Sequence, residues 1–151
     1  MQVKDIMTKD VMFVFDHTTV NNVADILTKE RIHGVPVVDK DRKVIGIVTE
    51  TNFFAKVDGD LYLSKFVKTI KKNKLPDVKD LKNKNEIKVE TTVGDIMTKN
   101  CVTVSPEMKV EELFEVFRKK GFHTIPVADE NGILEGIVSL ADVIAISVRL
   151  N

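Results

Sequence analysis

The sequence predicts a mixed α/β protein of the α+β type, built from two tandem β-α-β-β-α repeats that pack with pseudo-twofold symmetry through their sheets. Three observations lead to this fold. The chain aligns with itself after a shift of 90 residues, and its hydrophobic spacing changes between strand and helix in the same order in both halves. In addition, each half is too small to cover its own sheet, so the two copies must bury each other's apolar faces.

The internal duplication covers most of the 151 residues. Residues 3–53 align with residues 93–143 without a gap, and 16 of the 51 aligned pairs are identical. The segment Asp-Ile-Met-Thr-Lys occurs at 5–9 and again at 95–99, and a His-x-x-Pro-Val segment begins at His33 and at His123. We therefore expect a first repeat at 1–56, an insertion at 57–92 and a second repeat at 93–151.

Each repeat begins with a short apolar run typical of a strand and continues with an amphipathic helix. Ser105-Pro106 predicts the start of that helix in the second repeat, because serine is a common N-cap and proline suits the first helical position. The predicted strands are 11–15 and 101–104, and the apolar helix positions are Val20, Val23, Ala24 and Leu27, then Val110, Leu113, Phe114 and Phe117.

Two further strands and a last helix complete each repeat. The strands are predicted at 35–38 and 43–48, then at 125–127 and 134–138, with a hairpin turn at Asn131-Gly132. Pro36 and Pro126 have no N–H to donate, so we expect them at strand starts or sheet edges. The last helix is predicted to begin after Thr49 and after Ser139.

The insertion at 57–92 has no counterpart in the second repeat. Apolar residues from Leu61 to Ile70, interleaved with lysines, predict an amphipathic helix that ends near Pro76, and a polar connector follows at 77–90. The basic residues of this helix are Lys65, Lys68, Lys71, Lys72 and Lys74. A solvated helix face explains them better than a nucleic-acid surface, because no aromatic platform or DNA-binding motif accompanies them.

Composition excludes several classes of function. The 23 basic and 23 acidic residues cancel, so no overall field attracts nucleic acid or an anionic membrane. The single cysteine, Cys101, cannot form an intramolecular disulfide, and it shows no metal-ligand spacing with the histidines. No apolar run reaches the roughly 20 residues of a membrane-spanning helix. From the cysteine content and the lack of a spanning segment we expect a cytoplasmic protein. We also expect that it is not an enzyme and holds no catalytic cofactor or metal, since no catalytic motif is present.

Two strand-to-helix corners are the candidate functional elements. Residues 136–142 and 46–52 share a glycine, two β-branched residues, a hydroxyl and, three positions later, a short polar side chain. Unpaired N–H groups at the start of a helix suit a phosphate or another anion. However, Ser139-x-x-Asp142 is also the pattern of a capping box, in which both side chains serve the helix itself.

With the repeat, the two corners and the His-x-x-Pro-Val segments, the chain resembles a tandem pair of cystathionine-β-synthase (CBS) domains, called a Bateman module. The resemblance covers nearly everything except the insertion. It implies a regulatory module that senses AMP, ADP, ATP or S-adenosylmethionine, as in energy sensing, forms a homodimer and signals to an unidentified regulated protein. The alternatives are a ligand-free dimerisation scaffold and a nucleic-acid-binding adaptor that uses the lysine-rich insertion.

The resemblance implies a ligand site in the cleft between the repeats, centred on the second repeat. Ser139 would contact a phosphate, Asp142 would bind ribose hydroxyls through its two oxygens, and His123 lies where some family members place a cation. The residues that would frame the adenine are Cys101, Val102, Phe122, His123, Thr124 and Ile125, with Ile137 and Ala141 as apolar walls.

The first repeat departs from the family pattern at one position. Asn52 stands where the family has aspartate, which exchanges a two-oxygen acceptor for an amide. The resemblance therefore implies at most a second, weaker site there, formed by Val11, Met12, His33, Thr49 and Asn52.

Overall fold

The structure is a computed structural model that describes residues 1–54, 56–57, 60–61 and 91–150. The lysine-rich helix and the polar connector predicted for the insertion lie outside the described residues.

From the amphipathic helix onward the described elements follow the predicted order in both repeats. The predicted first strand is different: it is reduced to Val14–Phe15 in the first repeat, and in the second repeat residues 101–104 form no strand, since only Val104 makes an isolated bridge, to Val127. In chain order they are α1 Val3–Ile6, β1 Val14–Phe15, α2 Val20–Lys29, β2 Gly34–Val38, β3 Val44–Thr49, a 3₁₀ helix Glu50–Phe54, β4 Lys56–Val57, β5 Asp60–Leu61, α3 Val93–Ile96, β6 Thr98–Lys99, α4 Val110–Lys120, β7 Thr124–Ala128, β8 Leu134–Ser139 and α5 Leu140–Arg149. The fold is the predicted mixed α+β tandem repeat.

Each sheet is completed by a strand from the start of the other repeat. In the first sheet the order is β1-β2-β3-β6, so β6, which precedes the second repeat's own helix, pairs antiparallel with β3 of the first repeat. The second sheet shows the same exchange, because Thr8 bridges Ile137 on β8 and β7 pairs with β8. We call residues 1–9 and 91–99 the lead segments of the two repeats.

The hydrophobic cores follow the same exchange. Val93 and Ile96 of α3 belong to the core formed by α2, β2 and β3, whereas Val3 of α1 belongs to the core formed by α4, β7 and β8. Backbone hydrogen bonds fix each lead segment in place: Val3 N–H donates to Met108 O at 2.9 Å, and Val93 N–H donates to Thr18 O at 2.7 Å. Neither repeat therefore has a complete core of its own.

The start of α4 differs from the sequence prediction. This helix begins at Val110 with Lys109 at the N-cap, and Ser105-Pro106 lies outside it. The Ser105 hydroxyl instead accepts a hydrogen bond from Glu107 N–H at 3.1 Å, which closes a local turn. A serine followed by proline serves a turn as well as a helix start, and local sequence alone could not separate the two.

The prediction that Pro36 and Pro126 occupy strand starts or sheet edges is confirmed for Pro126, which lies in the two-stranded β7–β8 sheet, and is wrong for Pro36. Pro36 is the central residue of β2, and β2 lies between β1 and β3. The proline is tolerated because the neighbouring first strand is very short: β1 meets β2 only at Val37 and Val38. The Pro36 nitrogen, which has no hydrogen to donate, therefore faces a position beyond the last hydrogen-bonded pair of β1 and β2.

The last helix of the first repeat also differs from its counterpart. The described residues form a five-residue 3₁₀ helix, Glu50–Phe54, where the second repeat has the ten-residue helix α5. The hydroxyl-x-x-polar pattern therefore starts helical structure in both repeats but does not set its length.

Candidate functional site

A cavity of about 820 Å³ lies between the two repeats. Its walls come from the first repeat through the end of β3 and the start of the 3₁₀ helix, and from the second repeat through α5 and the segments that flank α4. The lining residues are His33, Ile47, Thr49, Glu50, Thr51, Thr98, Asn100, Cys101, Val102, Gly121, Phe122, His123, Thr124, Pro126, Ser139, Leu140, Ala141 and Ile144. Its volume lies in the range that small-molecule sites occupy.

Unpaired backbone groups border this cavity at Cys101 and Val102. Val104 N–H donates to Pro126 O, and Ala128 N–H donates to Val104 O, which sets a parallel register between these segments. In that register the next donor to Val102 O would be the N–H of residue 126, but proline has none. Val102 O therefore has no backbone donor, and the remaining backbone groups of Cys101 and Val102 also form no hydrogen bond with any other described residue. They are free to bind a ligand that brings its own donors and acceptors.

The Ser139 corner at the start of α5 forms a complete capping box. One carboxylate oxygen of Asp142, Oδ2, accepts from Ser139 N–H at 2.7 Å and from the Ser139 hydroxyl at 2.8 Å. The Ser139 oxygen in turn accepts from Asp142 N–H at 3.2 Å, and Leu140 N–H donates to His123 O at 2.9 Å. The expectation of unpaired N–H groups at this corner is therefore wrong for most of them, because the cap and the His123 carbonyl already use them.

The Thr49 corner of the first repeat is closed by Asn52. Its Oδ1 accepts from Thr49 N–H at 2.7 Å, as a carboxylate oxygen would. Its Nδ2 donates to Ile96 O at 2.8 Å and to Thr98 Oγ1 at 3.1 Å, both in the second lead segment. Asparagine at this position thus ties the corner to the exchanged segment, a contact that an aspartate could not make because it has no N–H.

Most of the residues expected at the main site lie around the cavity. Those that line it are Cys101, Val102, Phe122, His123, Thr124, Ser139 and Ala141. Ile125 is 1% exposed and packs in the second core, so only its backbone could serve a ligand. Ile137 pairs with Thr8, and Asp142 lies one position beyond Ala141 with its Oδ2 engaged in the cap.

The second, weaker site expected in the first repeat does not form a separate group around this cavity. His33 and Thr49 line the same cavity as the main set, whereas Val11, Met12 and Asn52 do not. Sequence reasoning missed several lining residues, namely Ile47, Glu50, Thr51, Thr98, Asn100, Gly121, Pro126, Leu140 and Ile144. Thr98 belongs to the second lead segment, and Asn100 follows it directly and donates its N–H to Ile45 O of β3. The repeat pattern gave no sign of this exchange.

The walls of the cavity carry few charges. Glu50 Oε1 lies 3.0 Å from His33 Nδ1, and both side chains are largely exposed. His123 is the other ionisable nitrogen base in the lining, and none of the described lining residues is lysine or arginine. Burial raises the pKa of the Cys101 thiol to about 11 against a small opposing effect of its own backbone, so this thiol is protonated at neutral pH.

The described part of the chain offers neither a metal site nor a membrane-spanning helix. It contains no cluster of three or more histidine, cysteine, aspartate or glutamate residues that could hold a metal ion. Among the described helices, none combines the length and apolar character needed to cross a membrane.

Comparison with protein families identifies the chain. The model of the CBS domain matches twice, at residues 3–59 and at 93–149, and these matches cover the two repeats. The chain belongs to the CBS domain family. In this CBS pair the two matched units are the ones that exchange their lead segments and enclose the cavity.

The curated relatives of this CBS pair differ greatly in length. The uncharacterized protein MJ1426 of Methanocaldococcus jannaschii is 30% identical over 161 residues, which cover 95% of this chain and 89% of that protein. Inosine-5'-monophosphate dehydrogenase of Aquifex aeolicus is 29% identical across 84% of this chain, but the match covers only 20% of the dehydrogenase. In that enzyme the similarity is thus confined to a fifth of the chain.

Solved structures share the fold along nearly the whole chain. CBSX2 in complex with AMP superposes with a TM-score of 0.73 at 22% identity, covering 99% of this chain and 97% of that one. The CBS domain pair of protein MJ0100, in complex with 5'-methylthioadenosine and S-adenosyl-L-methionine, gives a TM-score of 0.71 at 21% identity, with 100% and 98% coverage. At these identities the likeness establishes the tandem CBS fold.

Proposed function

We propose that this CBS pair is a regulatory module, not an enzyme, which binds an adenosine-containing ligand in the cavity between its repeats. The single observation that carries the proposal is the backbone of Cys101 and Val102, which pairs with no other described residue and borders a cavity of about 820 Å³. An adenine ring offers both a donor and acceptors at its edge, and Val102 and Phe122, which are 36% and 38% exposed, supply apolar surface for its faces.

Asp142 is the proposed ribose-binding residue. Its Oδ2 serves the capping box, while its Oδ1 accepts no hydrogen bond from the described residues. A ribose hydroxyl that donated to Oδ1 would leave the cap intact. The solved CBS pairs that contain AMP, 5'-methylthioadenosine and S-adenosyl-L-methionine support an adenosine compound as the ligand class.

The ligand signal is proposed to travel through a homodimer. Ile144 borders the cavity and is 56% exposed, and Val148 on the same helix is 74% exposed. Phe114 on the neighbouring helix α4 is 47% exposed, so α4 and α5 together present an apolar face that a second copy of the chain would cover. A ligand that moves Ile144 would change this face. The equilibrium between two arrangements of the dimer then shifts only as far as the ligand binds one arrangement more tightly than the other.

Filling the cavity tests the proposal. Ala141→Phe should abolish binding of AMP, 5'-methylthioadenosine and S-adenosylmethionine in calorimetric titrations, because the ring would occupy the adenosine space. Ala145→Phe is the matched control, since residue 145 is exposed on the same helix and does not line the cavity. The dimer is measured by light scattering with and without ligand. If the wild-type chain binds none of these compounds, a ligand-free scaffold replaces this proposal.

A further inference from the structure

Asn52 does not line the cavity, but it holds two residues that do. Its Oδ1 accepts from Thr49 N–H at 2.7 Å, and its Nδ2 donates to Thr98 Oγ1 at 3.1 Å; both threonines line the cavity. The same Nδ2 donates to Ile96 O at 2.8 Å. Asn52 therefore joins the end of β3 to the second lead segment at a point where both contribute to the cavity wall.

The partners of Asn52 fix the orientation of its amide group. Thr49 N–H can only donate and Ile96 O can only accept, so the amide oxygen must face Thr49 and the amide nitrogen must face Ile96. Both hydrogens of that nitrogen are used, one for Ile96 O and one for Thr98 Oγ1. The Thr98 hydroxyl is consequently the acceptor in its contact with Asn52.

This contact determines what the Thr98 hydroxyl offers to a ligand. A hydroxyl has one hydrogen, and Thr98 cannot donate it to the Asn52 amide nitrogen, which is not an acceptor. None of the described residues accepts this hydrogen, and Thr98 is exposed at the cavity wall. The Thr49 hydroxyl differs, because it donates to Asn52 Oδ1 at 3.1 Å. Thr98 is therefore able to donate into the cavity.

The equivalent pair in the second repeat provides an internal comparison. Asp142 and Thr8 correspond to Asn52 and Thr98 after the shift of 90 residues. The Asp142 carboxylate accepts from Ser139, no hydrogen bond of the described residues joins it to Thr8, and Thr8 does not line the cavity. Only the amide of the first repeat therefore combines contact with a lead segment and contact with the cavity wall.

We propose that Asn52 is a positioning residue of the cavity, which orients the Thr98 hydroxyl so that it donates a hydrogen bond to an acceptor atom of the bound ligand. This inference rests on the proposed function, because it concerns the same cavity. An aspartate at position 52 would reverse the hydroxyl: a carboxylate only accepts, so the Thr98 hydrogen would turn toward residue 52 and away from the ligand.

Variants of Thr98 test the ligand contact. The full chain is titrated calorimetrically with AMP, 5'-methylthioadenosine and S-adenosylmethionine, and the compound that binds most tightly serves as the probe. Thr98→Val removes the hydroxyl but keeps the β-branched shape, so the probe should bind about three- to tenfold more weakly. Thr98→Ser keeps the hydroxyl and should bind like the wild type. Thr8→Val, at the equivalent position outside the cavity, is the matched control and should leave the affinity unchanged.

The outcomes separate this inference from the proposed function. If the wild-type chain binds a probe and Thr98→Val binds it equally tightly, the inference is overturned while the proposed function stands. If the wild-type chain binds none of the three compounds, both are overturned.

A double-mutant cycle tests whether Asn52 acts through Thr98. Asn52→Asp alone should weaken binding about as much as Thr98→Val, but it should cause no further loss in a chain that already carries Thr98→Val, because the hydroxyl that it reorients is absent. Val3→Ala controls for destabilisation, since Val3 is fully buried in the other core and outside the cavity, and it should not change the affinity of the folded chain. An equal loss from Asn52→Asp in both backgrounds, or no loss in either, would contradict the positioning role.

Discussion

Asn52 and Asp142 occupy matching positions in the two repeats but form different hydrogen bonds. Both accept a hydrogen bond from the residue three positions earlier, and only Asn52 also donates, to Ile96 O and Thr98 Oγ1. Nitrogen in place of one oxygen therefore anchors the first corner to the second lead segment. At the other corner, Asp142 Oδ1 accepts no hydrogen bond from the described part of the chain. The sequence shows that the two residue types differ. It does not show that Asn52 donates to Ile96 O, because Ile96 is distant along the chain.

We predict that Asn52→Asp destabilises the protein, although it restores the family residue. The carboxylate cannot donate to Ile96 O and places negative charge against that carbonyl, so the free energy of unfolding should fall by about 1–3 kcal/mol. Asp142→Asn is the reciprocal control; its Oδ1 can still accept from Ser139 N–H, so the loss should stay below about 1 kcal/mol. Urea denaturation measures both, and equal losses would argue against the Asn52 anchor.

Cys101 provides a probe of the cavity, because it is the chain's only thiol and lines that space. Only the thiolate reacts, and a pKa raised to about 11 keeps it scarce at neutral pH. Alkylation should therefore be slow at pH 7, accelerate as the pH rises, and level off only above about pH 11. An adenosine ligand should slow alkylation at any fixed pH. Mass spectrometry follows the rate, and unchanged labelling under saturating ligand would place the ligand elsewhere.

At the scale of elements, the contact between each lead segment and the opposite sheet depends on a glycine. A Cβ added at Gly136 would lie 2.6 Å from Met7 Sδ and 2.9 Å from Thr8 O, and one at Gly46 would lie 2.7 Å from Thr98 O. Side chains are excluded there because backbone of the lead segment passes directly over β8 and β3. The repeated pairs Met7 and Met97, and Gly46 and Gly136, are visible in the sequence. Their contacts across the repeats, Met7 with Gly136 and Met97 with Gly46, could not be predicted from it.

We predict that Gly136→Ala separates the first lead segment from β8. Because the nearest backbone atom, Thr8 O, cannot move without breaking its hydrogen bond with Ile137, the variant should lose about 2–3 kcal/mol of stability. Gly34→Ala is the control: the nearest atom to its Cβ is Thr49 Cγ2 at 3.4 Å, an ordinary contact, so its effect should be small. Thermal denaturation compares the two variants. Similar losses of stability would show that the lead segment can move away from β8 at little cost.

The strand and helix order was predictable because hydrophobic period and turn residues act locally. The period of 3.6 in 20–29 and 110–120 and the Asn131-Gly132 turn each reflect neighbours in the chain. The exchange of lead segments could not be predicted, because the repeats are so alike that the pattern of 1–9 suits either core. For the same reason Thr98 and Asn100 were absent from the predicted site.

The whole molecule has two cores, each of which needs one segment from the other repeat. Val3 and Val93 are both fully buried, and each lies in the core of the repeat to which it does not belong in sequence. The protein should consequently unfold as one cooperative unit, since loss of either lead segment opens a core.

We predict that Val3→Ala destabilises the second repeat, 90 residues downstream in the alignment, more than the first. Removal of two buried methyl groups should cost about 2 kcal/mol, because the cavity left behind adds to the lost burial. Hydrogen exchange should rise first in β7 and β8. Glu130→Ala, at an exposed residue of the β7–β8 turn, is the control and should have almost no effect. Faster exchange first in β2 and β3 would contradict the assignment of the cores.

The seating of residues 1–9 against the second repeat has a mechanical consequence. A tether attached at Met1 would transmit its pull to α4 and β8, because Val110 N–H donates to Met1 O and Thr8 joins β8 beside the Ser139 corner. Force applied at Met1 would thus be felt in the second repeat, next to a corner that borders the cavity, before it reached the first repeat.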